Sequence, residues 1–121
     1  MTKNTFFRID TYKNDIGLDI NEDVLERMYE DNITAEDKLN INFAFVTDTL
    51  DKANNFAKII KSTFKNYTDI EVKPYDELFE IIGLTDKIQM SIEEINKWNQ
   101  TMWDFGYSYD CKLDGWYVGQ D

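Results

Sequence analysis

The chain has 121 residues, enough for one domain with one hydrophobic core. Apolar residues make up 42% of it and aromatic residues 15%, which excludes a disordered acidic tail. A formal net charge of −11, from 24 acids against 13 bases, disfavours phosphate backbones and anionic membranes and steers toward basic partners.

Residues 1–20 read as an N-terminal extension, a short edge strand or a partly ordered segment, and residues 21–121 as a single domain. A helix is expected over 22–31, with Asn21 as N-cap, Glu22 and Asp23 in the first turn, and an apolar stripe of Val24, Leu25, Met28 and Tyr29. Residues 40–47 alternate as a strand, with Ile41, Phe43 and Phe45 on one face and the smaller Asn42, Ala44 and Val46 on the other. Apolar residues recur at three and four from Leu50 to Phe64, so 50–65 is an amphipathic core helix with lysines on its polar side. A short strand surrounds Ile70 and Val72, and Pro74 marks its end or a sheet edge. A second strand starts at Leu78, with Gly83 as a candidate bulge and Ile88 and Met90 continuing it after a local break. The clearest helix is 91–105, opened by a Ser91–Glu94 capping box, striped by Ile92, Ile95, Trp98, Met102 and Phe105, and closed by Gly106 as a left-handed C-cap. Trp98 belongs to the core, and Trp103, at the stripe edge, is expected to be partly exposed. A last strand follows over 108–118. The order is a helix followed by β-α-β-β-α-β. Right-handed crossovers then place two helices on one face of a four-stranded antiparallel sheet, a ferredoxin-like α+β sandwich with an extra N-terminal helix.

The chain has no histidine and one cysteine, so an internal disulfide, a histidine-based triad and the usual zinc sites are all ruled out. Cys111 is expected as a small buried hydrophobe. No cofactor or metal site is indicated, and the acids read mainly as solvated surface. No long apolar run or cleavable leader pattern is present, and the expected location is the cytoplasm. Asp104, Asp110 and Asp114 cluster near the C-terminus and, with Trp116, are the candidate partner-binding residues.

Leu113-Asp114-Gly115-Trp116 poses a register problem. Strict alternation puts Asp114 and Trp116 on one face, which would bury an unpaired acid with the indole. Either both lie on the open sheet face as an acid-plus-aromatic patch, or a bulge at Gly115 turns Leu113 and Trp116 inward and Asp114 outward. A glycine inside a strand favours the bulge.

The layout over 22–118 together with the "LDGW" motif resembles the family of the regulator of ribonuclease activity B, the protein inhibitor of ribonuclease E. The family usually carries tyrosine where Leu113 stands. The resemblance implies a bacterial, cytoplasmic, non-enzymatic protein that binds an endoribonuclease and lowers its activity without binding RNA. The residues alone agree with an acidic module that binds a basic protein surface. Two rivals stay open: an immunity protein or antitoxin neutralising a nuclease, and a small-ligand binder or enzyme using carboxylates and Trp116. The exposed sheet face is also a candidate homodimer surface.

Overall fold

The computed structural model describes residues 4–119. Its elements are α1 (Ile9–Asn14), α2 (Leu18–Glu30), β1 (Lys38–Thr47), α3 (Leu50–Thr63), β2 (Thr68–Tyr75), β3 (Leu78–Gln89), α4 (Ile92–Ser108) and β4 (Lys112–Tyr117). The four strands form one open antiparallel sheet in the order β2-β3-β1-β4. This is the expected α+β class, with two helices before β1 rather than one.

The alternation of β1 determines which way the sheet faces. Ile41, Phe43 and Phe45 are buried on the helix side. Phe45 meets Phe56 of α3 edge-on, and its ring lies against Gly106 of α4, so both crossover helices cover this face. Burying such side chains is worth about 2 kcal/mol each, which makes this layer the main source of stability. Asn42 and Ala44 are half-buried on the opposite face, and Val46 is buried there. Helix α2 packs on α4. Tyr29 ties its far end to the chain before α4 by donating to the carbonyl of Met90 at 2.6 Å.

Several local expectations change. Within 4–20 the chain forms helix α1 and the start of α2, not a strand, and the 20/21 boundary falls inside α2. Helix α2 starts after Gly17, whose φ of +64° a side chain would strain, and Asn21 is a buried residue inside the helix rather than its N-cap. Gly83 pairs regularly with Phe43; the irregularity falls at Thr85 and Asp86, where two β3 residues oppose Ile41. The Thr85 hydroxyl accepts from the Ile41 amide there, replacing the missing ladder bond. Gly106 does not end α4. It lies inside the helix, where a Cβ would come within 2.2 Å of the Cys111 carbonyl oxygen. The Ser91 half of the capping box is present, with the hydroxyl accepting from the Glu94 amide at 3.3 Å.

Candidate functional site

The register problem in β4 resolves as a bulge. Gly115 pairs with Ala44 and Leu113 with Phe45, so Asp114 is the extra residue. Leu113 is buried against the core, Asp114 is exposed, and Trp116 is half-buried. The geometry separates the acid from the indole, as an unpaired carboxylate beside a buried ring requires.

Trp116 then does a second job. Its indole N–H donates to Asn21 Oδ1 at 2.9 Å, and its ring meets Trp98 edge-on. The Asn21 amide donates to Asn96 Oδ1 and Asn99 Oδ1, both at 3.0 Å. One buried asparagine therefore joins α2, α4 and β4. A buried amide must be satisfied on both its oxygen and its nitrogen, and here both are.

Beside this joint runs a cleft of about 220 Å³ between the α1–α2 turn, α4 and β4. Asp15, Ile20, Trp103, Lys112, Asp114 and Trp116 are among its walls. Trp103, expected to be partly exposed, is 2% exposed. Phe7 packs on its ring, its N–H donates to the Tyr12 carbonyl at 2.9 Å, and the Lys112 ammonium stands 5.6 Å from its centre.

The candidate residues are distributed unevenly. Asp114 and Trp116 share the cleft. Asp104 is exposed on α4 and accepts from the Tyr12 hydroxyl at 2.6 Å and from Gln100 at 3.0 Å. Asp110 is only 5% exposed and is committed to the fold. It accepts from the amides of Thr5, Phe6 and Phe7 and from Lys52 at 2.7 Å. A carboxylate so engaged does not stand at the surface with Asp104 and Asp114. Cys111 is buried, and burial pushes its thiol up to about 12. Among the described residues, no three acids or cysteines converge on a point that would hold a metal ion.

The most acidic surface lies away from the C-terminal acids singled out in the sequence. Residues 10–37 hold ten acids and two bases. On α2, Asp19, Glu22, Asp23, Glu26 and Glu30 are all exposed and spaced at three and four, so they form one acidic stripe. Among the described residues no ion pair within 4 Å reaches this stripe; the two present join Lys52 to Asp48 and Asp110. Ile20, 61% exposed, lies next to the stripe and on the cleft wall. Acids repeated four apart repel by about 0.2–0.5 kcal/mol per pair, a cost that the fold does not need. The run of acids in the sequence was the available signal.

No helix among the described residues is long and apolar enough to cross a membrane. The model of the family described as regulator of ribonuclease activity B matches residues 18–118. No curated protein matches the chain.

Proposed function

The chain belongs to the regulator of ribonuclease activity B family, and on that premise we propose that it is a non-enzymatic inhibitor that docks on a basic surface of an endoribonuclease in the cytoplasm. The observation that carries this reading is the unpaired acidic stripe of α2, continuous through Ile20 with the cleft at Asp114 and Trp116. RNA-binding segments of nucleases are basic, and an acidic protein seated on one competes with RNA for the same charges. The same charge keeps the chain itself off RNA. The partner surface on this reading comprises the α2 stripe, Asp114, Trp116 and the neighbouring Asp104; Asp110 supports it from within. The strand order and the two crossover helices support a ferredoxin-like plan with an N-terminal helical addition.

The test is a titration of the chain into an endoribonuclease of the ribonuclease E type from the same source, reading both binding and RNA cleavage. Inhibition should appear with the wild-type chain and fall at least tenfold in affinity with Glu22→Lys, Asp23→Lys and Glu26→Lys combined. Undiminished inhibition by that folded triple variant would remove the stripe from the site. No binding by the wild-type chain at low salt would sink the reading.

A further inference from the structure

Among the described residues, no helix packs on the open face of the sheet opposite α3 and α4. A groove of about 310 Å³ runs across it, with Ala44, Ile82 and Leu84 in its floor and Tyr117 at one side. Tyr117 is 63% exposed. The charged residues lining the groove are Asp69, Glu71 and Glu80, with no lysine or arginine among them.

Gly115 adds a second observation. Its backbone is not in the left-handed region, and a Cβ placed there would meet nothing within 4 Å. Glycine inside a strand costs stability relative to residues that pack on a pleated surface; neither a left-handed backbone nor a close contact calls for it here, and what the fold takes from it is the adjoining bulge at Asp114. It pairs with Ala44 and stands two residues before Tyr117 on the groove's face, and its backbone also borders the cleft beside Trp116. Two small residues side by side leave a notch into which another backbone fits closely.

We propose that this notched sheet face seats a basic amphipathic segment of the protein partner, its apolar ridge on Ala44, Ile82 and Tyr117 and its cations on Glu71 and Glu80. The inference deepens the reading of the chain as a binder of a basic partner and rests on it. A second copy of this chain is a poor occupant, because each body carries −11 and the groove itself is lined by acids. Strand addition at the sheet edges is also disfavoured, because β4 is short and bulged and β2 carries Pro74.

The probe is a synthetic helical peptide with a leucine ridge flanked by lysines and arginines, with a glutamate-for-lysine version as control. Amide shifts in the full chain on titration are expected at Ala44, Ile82, Leu84 and Tyr117, with none from the control. Gly115→Val should leave the melting temperature unchanged or higher and weaken binding at least tenfold. Tyr117→Ser, at an exposed position, should do the same if the valine variant fails to fold. Shifts confined to α2 and Trp116, or unchanged affinity in both variants, would overturn the sheet-face seat while leaving the proposed function standing. Absence of any binding at low salt would count against both. A concentration-dependent dimer by light scattering that Tyr117→Ser abolishes would give the face to a second copy instead.

Discussion

Asp110 sits at the turn between α4 and β4 with a φ of +59° and receives three consecutive amides, those of Thr5, Phe6 and Phe7. Burial alone would raise its pKa, but the Lys52 ammonium and these amides outweigh burial and hold it below the ordinary carboxylate value. Burial likewise opposes the charge on Lys52, and Asp110 and Asp48 outweigh it, so the lysine is raised. A depressed carboxylate contributes stability that is present above its unfolded value, near pH 4, and is lost as pH falls through its folded value. A raised lysine contributes stability that is present below about pH 10.4 and is lost as pH rises through its folded value. Melting temperature should therefore hold a plateau between those limits. Asn tolerates the left-handed backbone, so Asp110→Asn isolates the charge; it should cost about 3 kcal/mol by denaturant titration and flatten the acid limb. Exchange of the Thr5 to Phe7 amides should speed up in the same variant. Trp116→Phe removes the donor to Asn21 Oδ1 and leaves a buried acceptor unpaired, a loss of about 1–3 kcal/mol readable by thermal unfolding.

Glycine in an exposed helix is normally improved by alanine, by about 1 kcal/mol. At Gly106 in α4 the sign reverses, because the added methyl would meet the backbone of Cys111 and the Phe45 ring. Gly106→Ala should destabilise by about 2–3 kcal/mol in chemical denaturation. The position also illustrates what the sequence hides. A glycine near the end of an apolar stripe looks like a C-cap, and only the later return of β4 shows that it is a contact point. Elements with long periodicity were legible: α3, α4, β1, and the bulge forced by an acid beside a tryptophan in Leu113–Trp116. Helix α1, six residues long, is too short to show a period, and without it to cover the ring Trp103 looks partly exposed. The left-handed Gly17 starts α2 with no capping side chain, so Asn21, the next capping type, appeared to be the start. Its real partners lie 75, 78 and 95 residues away, beyond any local pattern.

Over the whole molecule the charge is uneven. Residues 10–37 carry ten acids against two bases, whereas α3 presents Lys58 and Lys61 among its exposed residues. An uneven field orients an approaching basic partner before contact. The association rate with such a partner should fall about tenfold or more between low and physiological salt, while dissociation changes little; stopped-flow mixing would read both. Variants confined to the open sheet face should instead act on dissociation. The carboxylate at Asp110 has a consequence for how the protein is made. Thr5 waits for a ligand 105 residues downstream, and Phe7 waits with it for Trp103 and Tyr107. The segment Thr5–Phe7 thus finds its places only after α4 and the turn behind it have been made. A nascent chain arrested before Asp110 emerges keeps the Thr5–Phe7 segment open to protease, and its acidic helix α2 lacks the β4 half of its seat until Trp116 has followed.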